Sequence, residues 1–391
     1  MPSRPALAYI VGAYEHPTRD AADRSLAQIQ AEVALGALAD AGLSKDDVDG
    51  FFCGPDAPGT GPLSIADYLN LNKLRHVDTT NTSGSSYVIH VAHAAQAIAA
   101  GKCDVALITL AGRPRAEGRG KGGLVRRDDP NQPDFQWEQP FGIQILNVYG
   151  MTAMRHMHLY GTTSEQLAWI KVAASQHAQH NPHAFSRDVV TVEDVLASPV
   201  VCDPLRRLDC CVVTDGGGAL IVTREEIARS LKRPLVKVIG TGERPQHQQG
   251  GYFEITQSGA AWSGRTAFEQ AGLVPADIKY VSLYDSFTIT VLMQLEDLGF
   301  CAKGEGGRFV ADGNLISGVG KLPFNTDGGG LSNNHPGNRG GMTKVIEAVR
   351  QVRGEAHPAV QVKNCDLALA NGIGGQLGVR HASATLILER G

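Results

Sequence analysis

Ser86–Gly101, SYVIHVAHAAQAIAAG, runs almost directly into Asp104–Leu110, DVALITL, and this pair decides the fold class. The first stretch is Ala-rich and ends in Gly101, the residue type that closes helices in a left-handed turn. The second is an unbroken apolar run of strand length, which predicts a strand buried on both faces. A helix feeding a doubly buried strand belongs to α/β layers. Working outward, Leu26–Gly42 reads as an amphipathic helix closed by Gly42, with a strand near Val48–Cys53 and a buried strand at Gly217–Thr223. Between Ala111 and about Pro199 the texture changes. GRPRAEGRGKGGLVRRDDPNQPDF is polar, rich in Gly and Pro and locally basic, and helical patterns follow over 144–160 and 163–180. This predicts an inserted loop or lid domain over 112–199, splitting a first half made of 1–111 and 200–232 from a second half at 233–391. The second half repeats the pattern, with strands at Leu235–Ile239, Tyr280–Tyr284, Asp366–Asn371 and Ala384–Leu388 and helices at Ser286–Gly299 and Arg339–Arg353. Each half sets a polar turn before a helix, Asn81–Ser85 in one and Tyr284–Ser286 in the other.

Composition narrows the function. The 391 residues are 42% hydrophobic and 19% charged, enough to bury a full core. A net charge of −4 gives no general basic footprint for nucleic acid. No apolar run nears the ~18 residues needed to span a bilayer, and the N-terminal apolar stretch is too short for a signal peptide. Seven scattered cysteines, an odd number, suit reduced thiols and a cytoplasmic location, and without a CxxC pair no zinc ribbon is expected within the chain.

Polar and glycine residues concentrate at Asn81–Ser86, Tyr284–Phe287, Gly328–Gly337 and Asn371–Gly375, with a fifth, apolar segment at Pro204–Gly216. Three other features have plainer explanations. His177, His180 and His183 are spaced by three, yet with no carboxylate or cysteine to complete a set they read as a solvated helix face. Cys210 and Cys211 read as packing residues. The basic run Arg113–Arg127 reads as a solvated loop or as a grip on a phosphate.

On these segments the chain resembles the thiolase superfamily, in its sterol-carrier-protein-x branch. PLRRLDCCVVTDGGGA from Pro204, GGGLSNNHPG from Gly328, NGIGG from Asn371 and QHAQHNPHAFSR from Gln176 are similar to that branch's motifs, in the right order from about residue 6 to 389. The resemblance implies two βαβαβ halves in five layers, α-β-α-β-α, with an inserted loop domain and an obligate homodimer. The catalytic positions depart from the family together. Its nucleophilic cysteine falls at or beside Ser83, and its His-Asp-Cys-Phe segment reads Tyr284-Asp285-Ser286-Phe287. The histidine before its C-terminal glycine motif is Ala370, and only the histidine of its Gly-His-Pro segment survives, as His335.

A serine hydroxyl supplies no ready thiolate, so Claisen chemistry is disfavoured. Retro-aldol cleavage of a bulky β-hydroxyacyl-CoA needs no acyl-enzyme, only a proton acceptor at the hydroxyl and donors at the thioester oxygen. Tyr284, beside a helix N-terminus whose dipole would favour phenolate, is the expected acceptor. His335, with Asn371, Gly374, Gly375 and Ser286 around the thioester, is expected on the donor side, and Ser83 as a helix cap or nucleophile. In this pattern the chain resembles the thiolase-like steroid side-chain aldolases. The resemblance implies no bound cofactor beyond the substrate's own CoA, no metal, and a separate OB-fold/zinc-ribbon partner of the DUF35 class in a heterotetramer. Two alternatives stay open: an acyltransferase with a serine nucleophile, and a non-catalytic scaffold for such a partner.

Overall fold

The computed structural model describes residues 4–54, 57–118, 136–137, 139–142, 144–247, 254–337, 340–378 and 380–391. In the first half, β1 (Ala8–Glu15), α1 (Leu26–Ala41), β2 (Gly50–Cys53), α2 (Pro62–Leu69), β3 (His76–Asp78), α3 (Ser86–Ala99) and β4 (Val105–Gly112) follow one another. Helices α4 (Ile145–Tyr160), α5 (Ser164–Ala178) and α6 (Val192–Ala197) come next, then a ribbon of β5 (Val200–Cys202) and β6 (Leu205–Arg206), and β7 (Gly216–Thr223) and α7 (Glu225–Ser230). The second half holds β8 (Val236–His247), α8 (Ala260–Ala271), β9 (Tyr280–Leu283), α9 (Thr288–Asp297), α10 (Gly306–Val310), α11 (Gly341–Arg353), β10 (Leu367–Gln376) and β11 (Arg380–Arg390).

Nine strands share one mixed sheet in the order β3-β2-β4-β7-β1-β8-β11-β10-β9. Its halves join where Ala8 and Tyr9 of β1 pair with Val238 and Lys237 of β8. Side chains alternate along each strand. Ile10, Ile108, Leu110, Leu220 and Val222 from one half and Val238, Ala368, Leu386 and Leu388 from the other line a single buried cluster with α3 and α11. Both half-sheets therefore face the same two central helices. The opposite faces are covered separately. Val11, Leu107 and Ile221 pack on α1. Leu283, Leu369 and Ile387 pack with α8 and α9, and with Tyr149, Leu167 and Ile170 of the inserted helices. Helix, half-sheet, central helices, half-sheet, helix are the five layers expected.

The halves are copies at the level of single residues. Ala41–Val48 is AGLSKDDV and Ala271–Ile278 is AGLVPADI. Each begins where a helix ends in a left-handed glycine, Gly42 at φ +72° and Gly272 at φ +62°. Each continues through a 3-10 turn whose aspartate, Asp47 or Asp277, accepts the N–H three residues back at 2.8 and 2.9 Å. Gly12 of β1 lies against the Ala37 carbonyl and Gly240 of β8 against the Ala267 carbonyl, so a Cβ at either would push helix and strand apart.

Strand β1 and helices α2 and α8 add to the elements that the sequence pattern predicts, and β1 is central. Strand β4, which follows Ser83's helix, lies between β2 and β7, and the edge on that side is β3. One expectation is corrected. His177 does not face solvent: it is buried, and its Nε2 accepts the Ser317 N–H at 2.9 Å. Most of the basic run Arg113–Arg127 lies outside the described residues. The guanidinium of Arg113 donates to the carbonyls of Ala21 and Ala22, and that of Arg115 pairs with Asp20.

Candidate active site

β9 ends at Leu283, and the next residue is clamped from three sides. The Tyr284 N–H donates to the Asn371 carbonyl at 3.0 Å, extending the parallel β9–β10 ladder by one bond. Its carbonyl accepts from Gln294 Nε2 at 2.6 Å. Gln294 Oε1 in turn accepts from Asn371 Nδ2 at 2.8 Å, and Asn371 Oδ1 accepts from the Thr385 and Ser383 hydroxyls at 2.7 and 3.3 Å. Every group in this chain is buried and paired, so the backbone at Tyr284 is rigidly placed. The Asn371 amide is spent on that clamp.

The phenol of Tyr284 points to His335, with Oη 3.0 Å from Nε2 and the rings edge to face at 5.5 Å. The Gly340 N–H, just before α11, donates to the same phenol oxygen. His335 is reached through the glycine turn Gly328–Asn333, whose Gly328 and Gly329 have φ of +97° and +60°. Its backbone N–H donates to Thr214 Oγ1 at 2.8 Å, and the Thr214 hydroxyl donates to Asn334 Oδ1, also at 2.8 Å. Tyr284 and His335 are 5% and 8% exposed.

Burial sets the protonation states. It pushes the Tyr284 phenol well above its ordinary value, with Cys211, Tyr149 and Asp285 adding to the rise. It pushes His335 down to about 4, against the pull of Asp285. Both groups rest neutral at pH 7. The phenolate expected from the helix dipole is not the resting form: α9 starts only at Thr288, and desolvation outweighs a dipole some residues away.

The first half supplies the turn Ser83–Ser85. Gly84 admits it, since a Cβ there would sit 2.5 Å from Tyr284 Cε2. Ser83 has φ +57°, a left-handed conformation costly for a residue with a Cβ. It does not cap α3, which begins at Ser86 with Ser85 in the cap position. Gly372 and Gly374 of β10 pack under this turn, with a Cβ at Gly374 only 3.0 Å from the Gly84 nitrogen and also pressed on the Thr82 carbonyl. Gly375 turns left-handed at φ +75°. His381, which the sequence did not flag, bridges the Gly374 carbonyl and the Gly259 N–H, both at 3.0 Å. Ser286 is buried beside Thr290 Oγ1 at 3.3 Å. Tyr284, His335, the Ser83 turn and Gly374 thus converge.

Residues 242–390 match the family described as "Thiolase C-terminal domain-like". The steroid side-chain-cleaving aldolase of Thermomonospora curvata is 37% identical over 342 residues, covering 85% of this chain and 86% of that protein.

The chain belongs to the thiolase-like aldolases.

Another relative of this aldolase is the 17-hydroxy-3-oxo-4-pregnene-20-carboxyl-CoA lyase of Mycobacterium tuberculosis, 36% identical over 362 residues, or 90% of this chain and 92% of that one. Among solved structures, the Ltp2-ChsH2(DUF35) aldolase matches with a TM-score of 0.87 and 34% identity over 99% of both chains. The aldolase is therefore a lyase on the thiolase fold.

Sequence reasoning missed several of its site residues. Gln294 and Gly340 carried no motif signal. Cys211, read as packing, is buried yet close enough to bear on the Tyr284 phenol, and its N–H donates to the Ser286 carbonyl at 2.9 Å. Tyr149, from the inserted α4, stacks on Phe287 at 4.6 Å. Among the described residues no cluster of three His, Cys, Asp or Glu is placed to hold a metal, and no helix is long and apolar enough to cross a membrane.

Proposed function

We propose that the chain cleaves the Cα–Cβ bond of a bulky β-hydroxyacyl-CoA, a steroid side-chain ester first among them, by a retro-aldol reaction with no cysteine acyl-enzyme. The single observation that carries this is the Tyr284–His335 hydrogen bond of 3.0 Å between two buried neutral groups. As the substrate's β-hydroxyl proton passes to Tyr284 Oη, the phenol proton passes to His335 Nε2. The hydroxyl carbon becomes a ketone or aldehyde, the Cα–Cβ bond breaks, and its electron pair enters the thioester as an enolate. The proton on His335 then returns through Tyr284 to Cα, so the two groups end as they began. The relay avoids a free phenolate, which burial disfavours. Donors for the enolate oxygen would come from backbone N–H groups along 372–375, where β10 runs past the last residue paired with β9.

The substrate's CoA is the only coenzyme the reaction needs. The open edge of β3 is the surface through which two copies would pair as a homodimer. A DUF35-class protein, present in the name of the matched aldolase complex, is the expected second subunit, in the cytoplasm. Acyl transfer through Ser83 has one observation behind it, the left-handed backbone at the head of α3. One experiment decides: a panel of β-hydroxyacyl-CoAs is incubated with wild type, Tyr284→Phe and Ser83→Ala, each with and without the DUF35-class partner, and read by mass spectrometry. Ketone release by wild type and Ser83→Ala but not Tyr284→Phe supports the relay. An acylated Ser83 sinks it.

A further inference from the structure

Behind the reacting pair lies a charge arrangement that the relay does not use. Asp285, next to Tyr284 in sequence, is fully buried. Its carboxylate accepts the N–H groups of Gly330 and Leu331 at 2.8 and 3.2 Å, fastening the glycine turn that leads to His335. At Gly330 a Cβ would lie 3.0 Å from Asp285 Oδ1 and 3.1 Å from His335 Cδ2, so the carboxylate and the imidazole border the same glycine of the turn. Lys344, on the second turn of α11 and 1% exposed, sets its ammonium 2.8 Å from Asp285 Oδ1, as a contact of charges rather than an aligned hydrogen bond.

We propose that Lys344 is a positioning residue: its ammonium cancels the Asp285 carboxylate beneath His335, keeping the imidazole a neutral acceptor while Asp285 holds the turn.

A lone carboxylate across one glycine from a buried imidazole would favour its protonated form and remove the acceptor the relay needs. Asp285 raises and Lys344 lowers the proton affinity of His335, in opposition, while burial exerts the largest effect. Lys344 itself stays charged although burial opposes it, because Asp285, Asp327 and Glu15 surround it. Other charges face this cluster. From β1 and the segment after it come Glu15 and Arg19, from α11 Glu347 and Arg350, and from the approach to the glycine turn Asp327. Arg19 and Arg350 pair with Glu15 at 2.9 and 3.3 Å. Among the described residues, Lys344 is the lysine or arginine that pairs with Asp285.

The proposal rests on Tyr284 and His335 being the reacting pair, but its test can be read without turnover. The His335 imidazole is titrated by NMR in full-length, carbon-13 histidine-labelled protein, assigned by its loss in His335→Gln, and the acid limb of kcat/KM is followed in parallel. Lys344→Met should move the His335 midpoint up by about one pH unit, the low end of the effect of a close unbalanced charge. Asp285→Asn should move it down, and Lys344→Met/Asp285→Asn should return it toward wild type, the acid limb following each time. Should Lys344→Met not fold, Asp285→Asn and the double variant carry the comparison, the double having the higher midpoint. Equal midpoints in Lys344→Met and wild type, or in Asp285→Asn and the double variant, overturn the proposal. If wild type cleaves no β-hydroxyacyl-CoA while the midpoints move as stated, the proposed function fails and the charge balance stands.

Discussion

Tyr284→Phe separates chemistry from folding better than any other single change. The substitution keeps the ring, its edge-to-face contact with His335 at 5.5 Å and its fit beside Gly84, and removes only Oη. Two buried partners then lose their contact, His335 Nε2 and the Gly340 N–H. An unsatisfied buried group costs about 1–3 kcal/mol, but the phenol's own desolvation cost vanishes with it, so the net loss of stability should be about 1–2 kcal/mol. Losing the proton acceptor costs about 10²–10⁴-fold in rate, or roughly 3–5 kcal/mol of barrier at 1.36 kcal/mol per decade. Because the barrier term exceeds the stability term, a folded variant with collapsed kcat is expected. The assay is release of the ketone or aldehyde from a cleavable β-hydroxyacyl-CoA by the complete enzyme, with thermal unfolding followed in parallel. KM should change little, since Oη acts on one hydroxyl among many substrate contacts. A variant that melts near wild type and keeps kcat within a few-fold would falsify the relay, whatever its KM.

Other outcomes follow from the same geometry. Ser83→Ala keeps the left-handed strain, because serine and alanine both carry a Cβ, so it isolates the hydroxyl; kcat should fall by less than about tenfold, against complete loss if Ser83 were a nucleophile. Gln294→Met should cost roughly 2–4 kcal/mol in urea unfolding, since it orphans the Tyr284 carbonyl and the Asn371 amide inside the core, and a loss under 1 kcal/mol would show that the clamp is unimportant. His335 has a folded value near 4 against an ordinary 6.5, so the folded state binds fewer protons than the unfolded chain between them. Its contribution is whole above 6.5 and is lost as pH falls toward 4. The stability of wild type relative to His335→Gln should therefore drop by roughly 2–3 kcal/mol from pH 6.5 to 4.5, and a constant difference would mean that His335 is not buried as a neutral base. Light scattering at micromolar concentration should give a dimer; a monodisperse monomer contradicts pairing through β3.

The fold was legible where burial leaves a mark on composition. DVALITL could be placed because a doubly buried strand has no polar side to hide its identity, and α3 because a glycine ends it. β1 went unread although it sits at the centre of the sheet. Its run Ala8–Glu15 ends in a buried glutamate, paired with Arg19 and Asn334, that looks in sequence like the onset of a surface loop. Helix α8, AAWSGRTAFEQA, carries Gly264, a poor helix former that lets Leu298 approach closely. Aligning AGLSKDDV with AGLVPADI would have recovered α8, because the duplication repeats the helix stop, the aspartate-capped turn and the strand that follows, β2 in one half and β9 in the other.

The candidate site was legible as segments that meet and illegible as a set of protonation states. Tyr284 and His335 stand out because they occupy glycine-rich junctions, which sequence displays. Whether the phenol is charged depends on how much water reaches it, and that is decided by residues from distant segments: Cys211, Tyr149 and the turn at Gly84, 73 to 200 positions away from Tyr284 by chain number. A helix dipole falls off within a turn, whereas desolvation acts on every buried group. The same burial that removes the phenolate keeps His335 unprotonated at neutral pH, so one physical cause argues against the simplest mechanism and for the proposed relay. Lys344 shows the limit most clearly. In sequence it is one lysine on an amphipathic helix, with nothing to separate it from a solvated one. Only its place 2.8 Å from the carboxylate beside Tyr284 gives it a part in the chemistry.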